Sequence, residues 1–209
     1  MKNSFINSID KISNQDYKNI LKDDDSPLIS HEFLNALEAS GSAIQGNGWQ
    51  PMHLILEDDS NLSGFLPLYL KNNSHGEFVF DHQWSYALRR AGREYYPKLL
   101  SAIPFTPCET RKFISKNQIE ASSFIDPTIE YMEKNNVETW HILFPDESIS
   151  EDLIKNNFIK RGGYRFVWNN KNYSNFDEFL NIFTSRQRKN IRTERNKILK
   201  NNISFSIKD

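Results

Sequence analysis

ETWHILF (138–144) is a strand-length stretch that concentrates large apolar residues and reads as a buried strand, and the stretches beside it, 118–135 and 147–156, read as helices, with Pro127 in an early turn of the first. A buried strand between helices belongs in a sheet covered by helical layers, which points to an α/β or α+β fold around one central mixed sheet. The remaining segments agree. Ser30 caps a helix through Glu38, with Phe33, Leu34 and Leu37 on one face and Gly41 as its stop. MHLILE (52–57), the turn DDSN and LSGFLPLYLK (62–71) read as a β-hairpin. EFVF (77–80), KLLSAI (98–103) and RFVW (165–168) read as strands, Trp84 to Arg90 as a short helix, and RKFIS (111–115) as a segment pairing nearby. Ser174 and Asp177 match a capping box ahead of FLNIF, and that helix runs into a basic segment with or without a break near Ser185. ISFSI (203–207) reads as a last strand, and a strand in that position after a long helix reads as a chain that continues.

Composition narrows the function classes. The chain carries 26 Lys and Arg against 27 Asp and Glu, a net charge of -1, so as a whole it has no bias toward nucleic acid or membrane. No apolar run approaches the ~18 residues of a membrane helix, and the N-terminus has no secretory apolar core, so a cytoplasmic protein without membrane insertion is expected. Cys108 is the single cysteine, which excludes an internal disulfide and a zinc site built on cysteines. No histidine spacing points to a metal, so no metal cofactor is expected.

Two stretches concentrate chemistry. The first is HGEFVFDHQWSYALRRAGREYYPKLLSAIPFTP (75–107). With 77–81 as a strand, Glu77 and Asp81 share a face. There they either orient or deprotonate an amine, or close ion pairs with Arg89, Arg90 or Lys98. Tyr95 and Tyr96, as strand neighbours, face opposite sides, so at most one lines a cleft. His141 reads as a core histidine. The second stretch is RQRKNIRTERNKILK (186–200), where Arg188, Arg192 and Arg195 form a cationic stripe and Ile191 and Ile198 an apolar one. The stripe is either a solvated or docked face, or an anion site for CoA phosphates, a lipid-linked or nucleotide precursor, or tRNA. The lack of interleaved aromatics argues against general nucleic-acid binding.

Several blocks carry a family resemblance: SPLISHEFLNALE (26–38), GWQPMHL (48–54), PLYLK (67–71), GEFVFD (76–81), Trp84, YYPKLLSAIPFTP (95–107) and HILFP (141–145). WNNKNYSNFDEFL (168–180), leading into RQRKNIRTER (186–195), extends the series. Together they resemble a bacterial family described as FemAB-like, or peptidoglycan-biosynthesis-like, N-acyltransferases of the GNAT superfamily. The blocks run in the family's order over nearly the whole chain. Departures fall at NSHGE (73–77) for H-S-Y-G-E, at His82 for a second Trp, and at CETR (108–111) for T-G-x-R.

The resemblance implies a GNAT-like mixed sheet flanked by helices over residues 1–183, with 184–209 a basic helix leading to a second, C-terminal GNAT-like domain. It implies acyl transfer from acyl-CoA (acetyl-CoA) or aminoacyl-tRNA to an amine acceptor, a small molecule or cell-envelope precursor. The alternative is a non-catalytic scaffold or acceptor-recognition domain. On this reading Glu77, Asp81, Tyr95 and Tyr96 are catalytic, and His75, Trp84, Lys98, Arg188, Arg192 and Arg195 bind substrate. The pyrophosphate loop of GNAT enzymes, [RQ]-x-x-G-x-[GA], has its nearest match in RRAGRE (89–94), where Glu94 replaces the final small residue.

Overall fold

A computed structural model describes residues 1–164 and 166–206. The chain divides into two compact units, Met1–Lys160 and Arg161–Asp209. In the first, the elements are β1 (Lys2–Ile6), α1 (Asn14–Asn19), α2 (His31–Ala39), β2 (Trp49–Pro51), β3 (His53–Asp58), β4 (Asn61–Leu66) and β5 (Tyr69–Lys71). They continue as α3 (His82–Arg90), β6 (Lys98–Ser101), α4 (Ser122–Asn135), β7 (Trp140–Ile142) and α5 (Glu147–Lys155). The fold is α+β, as read from the sequence, but its strands form two sheets rather than the one central mixed sheet expected. One is antiparallel, ordered β1-β3-β4; the other is mixed, ordered β2-β5-β6-β7, with β6 and β7 parallel.

One residue type explains the division. The sequence reads 62–71 as a single strand, but Pro67 has no N–H to give to a ladder. The β3–β4 ladder ends at Leu66, and pairing resumes at Tyr69 against β2. Between them the Met52 N–H donates to the Leu68 carbonyl at 2.8 Å, so the expected hairpin persists while its two halves enter different sheets.

Other expectations shift for equally local reasons. EFVF is a turn, because Gly76 and Phe78 both have positive φ, +77° and +57°. KLLSAI is a strand only to Ser101, and in RKFIS a single bridge joins Ile114 to Phe65. The strand in ETWHILF contracts to Trp140–Ile142. The Ser30 hydroxyl caps α2 as expected, accepting from the Phe33 N–H. Strand β1 and helix α1 escape the sequence reading, the first because KNSFI is polar on one side and pairs along a sheet edge with β3.

Three apolar clusters bury the sheets, one of them built on Trp49, Tyr69 and Leu100 of the mixed sheet. Leu54, Leu56, Leu66, Leu99, Phe113 and Phe124 pack with Ile125 and Leu153, while Ile9, Tyr17, Ile29 and Leu34 pack with Phe65 and Ile114. Gly64 permits the approach of α4, since a Cβ there would lie 2.8 Å from the Phe124 ring.

The second unit holds α6 (Phe176–Leu180) and α7 (Ser185–Lys200), so the chain does break before Ser185. Asn175, not Ser174, caps α6, its side chain accepting from the Glu178 N–H at 2.9 Å. Ser174 instead donates through its N–H and hydroxyl to the Glu178 carboxylate. Thr184 and Gln187 form a reciprocal capping box on α7. Trp168, Tyr173, Phe176 and Phe183 gather around Phe179. Phe166 to Trp168 and Ile203 to Ser206 form no strand; Arg165 and Ile207, parts of two expected strands, lie outside the described residues.

Candidate functional site

Lys71 and Lys98 are register partners on β5 and β6, so both side chains leave the mixed sheet on one face. Two like charges opposed in this way are destabilising unless anions sit between them. Both lysine side chains are fully buried. Glu77 supplies the first anion: its Oε2 accepts from Lys98 Nζ at 2.8 Å, and its Oε1 lies 3.9 Å from Lys71 Nζ. Asp81 supplies the second, with Oδ2 accepting from Lys98 Nζ at 2.5 Å, Tyr95 OH at 2.6 Å and Ser74 Oγ at 2.7 Å. Ser74 also accepts from Lys98 at 2.8 Å and pairs with the Tyr96 hydroxyl at 2.7 Å. His141 Nε2 lies 3.1 Å from the Tyr95 hydroxyl.

The backbone explains how these groups meet. Lys71 Nζ stands 3.6 Å over the Trp49 ring and donates to the His75 carbonyl, which also accepts from Trp49 Nε1. Those bonds fix the turn that carries Glu77. Gly76 lets the turn close, because it is left-handed and a Cβ on it would lie 2.5 Å from the Phe105 ring. Asp81 is the N-cap residue of α3, yet its side chain makes no capping bond. An aspartate suited to capping has turned its carboxylate inward instead.

Electrostatics separate the two acids. Burial pushes the Asp81 carboxyl up, but hydrogen bonds from Lys98, Tyr95 and Ser74 outweigh it and hold the pKa at about 2. Burial also pushes Glu77 up, and there the opposing lysines do not win, so its pKa is raised. Burial lowers the Lys71 ammonium to about 8, with Glu77 opposing the shift and Lys98 adding to it. Burial, with Asp81 accepting its hydrogen bond, raises the Tyr95 phenol. One oxygen of each acid, Glu77 Oε1 and Asp81 Oδ1, is buried without a hydrogen-bond partner among the described residues.

The structure therefore brings Glu77, Asp81, Tyr95, Tyr96 and Lys98 together, though not by strand alternation. Residues 77–81 are a turn, and Tyr95 and Tyr96 precede β6, with a cis bond between Tyr96 and Pro97. Both tyrosines consequently reach the cluster, rather than one. Of the ion-pair partners weighed for the acids, Lys98 is the one that engages them. His75 contributes its carbonyl while its side chain is exposed, and Trp84 is exposed on α3. Sequence reasoning missed Lys71, Ser74 and the contact of His141 with Tyr95. The signal for Lys71 was parity: with Tyr69 facing inward, Lys71 must follow it.

In the second unit, Arg188 donates to the Phe183 carbonyl, Arg192 pairs with Asp177 at 3.2 Å, and Arg195 stands 4.0 Å over the Phe176 ring. In RRAGRE the N–H groups of Ala91, Gly92 and Arg93 all donate to carbonyls of the last turn of α3. That is the carbonyl end of a helix, where the field opposes phosphate. Among the described residues, no three His, Cys, Asp or Glu side chains converge as metal ligands would.

A family model described as FemAB-like, peptidoglycan biosynthesis/recognition, matches residues 8–209. No curated protein and no solved structure matches the chain.

Proposed function

The chain belongs to the FemAB-like family, and its function is therefore related to peptidoglycan; from that premise we propose that it is an N-acyltransferase acting on an amine of a peptidoglycan precursor. The acceptor is held by the cluster around Glu77 and Asp81. The observation that carries this reading is the pair of buried, unpartnered acceptors, Glu77 Oε1 and Asp81 Oδ1. Buried carboxylate oxygens are costly to leave without donors, and an amine supplies donors to both.

In the transfer, the amine nitrogen attacks the acyl carbonyl carbon and forms the amide bond. The bond to the leaving group, a CoA thiolate or a tRNA hydroxyl, breaks, and the amine gives up a proton. Glu77 takes that proton, since its raised pKa makes it the better base of the two acids. Asp81 stays ionised and orients the amine through its open oxygen. Taken by itself, the stripe Arg188, Arg192 and Arg195 of the second unit offers cations for the phosphates of acyl-CoA or tRNA, and the chain would act in the cytoplasm. We extend the same proposal to a GNAT-type fold that a second such domain completes.

The test is calorimetric titration of the chain with a soluble muropeptide bearing a free stem-peptide amine, beside its N-acetylated form. Preference for the free amine, lost in Glu77→Gln and weakened in Tyr96→Phe, supports the reading. Equal affinity of the folded protein for both forms overturns it.

A second reading, acceptor recognition without donor binding, is favoured by one observation: the N–H groups of 91–93 are taken by α3. Titration with acetyl-CoA at low salt separates the two. Binding that depends on Arg89 supports a donor site in this chain, and no binding supports recognition alone.

A further inference from the structure

Helix α3 is amphipathic, yet none of its residues is buried. Trp84, Leu88 and Ala87 lie along one side at helical spacing, and His82, Tyr86, Arg89 and Arg90 lie along the other. An apolar face of this kind ordinarily packs against the core. Here Leu88 is only half-buried, and Trp84 is 43 % exposed with no aromatic ring contact among the described residues. The turn leading into the helix adds Phe78, 61 % exposed with φ +57°. A bulky residue in the left-handed region costs roughly 1–2 kcal/mol, and this one stays mostly exposed. The polar face is cationic and uncompensated. Arg93 pairs with Glu138, but Arg89 and Arg90 face no carboxylate among the described residues, and Arg90 stands over the Tyr86 ring.

We propose that α3 and the turn before it form a docking surface for an anionic lipid bilayer. A short helix with Trp and Leu on one face and arginines on the other lies in the plane of a membrane interface, its apolar side among the acyl chains and its arginines at the headgroups. Charge decides the lipid: two unpaired arginines favour an anionic surface over a zwitterionic one. No helix among the described residues is long and apolar enough to cross a membrane, so the contact is peripheral. Asp81 is both the cap residue of α3 and a member of the buried cluster, so docking would hold that cluster close to the headgroup layer. The docking claim does not rest on acyl transfer and is tested without it.

The experiment is sedimentation of the 209-residue chain with vesicles of phosphatidylglycerol and phosphatidylcholine, beside pure phosphatidylcholine vesicles, over a salt series. The expected result is binding to the anionic vesicles alone, weakening as salt rises. Arg89→Glu with Arg90→Glu should lower the affinity at least about tenfold. Trp84→Ser should lower it as well, with circular dichroism unchanged in both variants; all three sites are exposed and outside the cluster. No sedimentation of the folded chain with anionic vesicles overturns the proposal. So does full retention in Trp84→Ser, which would mark a purely electrostatic site. A surface that serves a protein partner or a second copy would show itself as a Trp84-dependent change in oligomeric state by ultracentrifugation without vesicle binding, and that result also overturns it.

Discussion

Two of the buried polar networks of the residue 1–160 unit differ in how completely they are satisfied. In the first, Glu38 on α2 accepts from Ser8 Oγ at 2.8 Å, the Ile9 N–H at 3.0 Å and His53 Nε2 at 2.8 Å. His53 Nδ1 accepts from the Leu68 N–H, which leaves Nε2 as the ring nitrogen that donates to Glu38. Both oxygens of Glu38 are used, and the network joins the N-terminal segment, α2 and the junction of the two sheets. The Tyr69 hydroxyl is left without a partner, but a dry phenol costs far less than a dry carboxylate. In the second network, Lys98 binds Glu77 and Asp81, yet each acid keeps one buried oxygen open. The first network closes on itself, whereas the second leaves two acceptors open, and it is these that the proposed acceptor amine would fill.

The largest expected effect tests the shared part of the comparison. Lys98→Met leaves two buried carboxylates facing Lys71 alone, and should cost about 3–5 kcal/mol in urea unfolding. A cost below about 1 kcal/mol would break the account of Lys98 as the centre of the cluster. Next in size, Glu38→Ala strands the donors of Ser8, Ile9 and His53 and should cost about 3 kcal/mol. Muropeptide affinity should be unchanged in that variant; a parallel loss would erase the distinction between the networks.

On the acid side the two networks share one pH dependence. The folded pKa of Glu38 is lowered, since its hydrogen bonds from His53, Ser8 and Ile9 outweigh burial, and that of Asp81 lies at about 2. An acid with a depressed folded pKa contributes stability above its unfolded value of ~4, and loses it as pH falls toward the folded value. Acid unfolding should therefore become shallower in Asp81→Asn. The alkaline side has the opposite origin. Lys112 is buried, donates only to the Thr110 carbonyl, the Thr110 hydroxyl and the Phe144 carbonyl, and is lowered by burial to about 7. Between that value and the unfolded ~10.4 the unfolded chain binds more protons, so stability rises with pH across this window. Lys112→Met should flatten the rise, as measured by melting temperature against pH.

The smallest stability effect is the sharpest test. Glu77 has a raised folded pKa, so its contribution is full below the unfolded value and falls as pH rises through the folded one. Glu77→Gln removes that loss and should shift stability at neutral pH by less than about 1 kcal/mol. Selective binding of the free amine should nevertheless disappear. A variant that unfolds instead would place Glu77 with Glu38, among groups that only hold the fold.

Much of this was legible in the chain. The caps at Ser30 and Thr184–Gln187 act within one helical turn, and the former was readable from residue order alone. The mixed α+β class followed from the apolar periods. Five of the cluster's residues, Glu77, Asp81, Tyr95, Tyr96 and Lys98, were singled out, although the strand geometry invoked for them was wrong because Gly76 and Phe78 turn the backbone over. Lys71 was invisible because a lysine closing PLYLK reads as a solvated strand end until its parity is set by pairing with Lys98.

By itself the sequence determined the mixed α+β class, the Ser30 cap and the family, since those signals lie within one turn, one strand or one block of residues. Only the tertiary structure decided that Lys71 and Lys98 stand opposed, that Pro67 divides one hairpin between two sheets, and that Asp81 faces the cluster rather than its helix. Each depends on register between strands distant in the chain, and register is set by the packing of the whole sheet, not by any one of its strands.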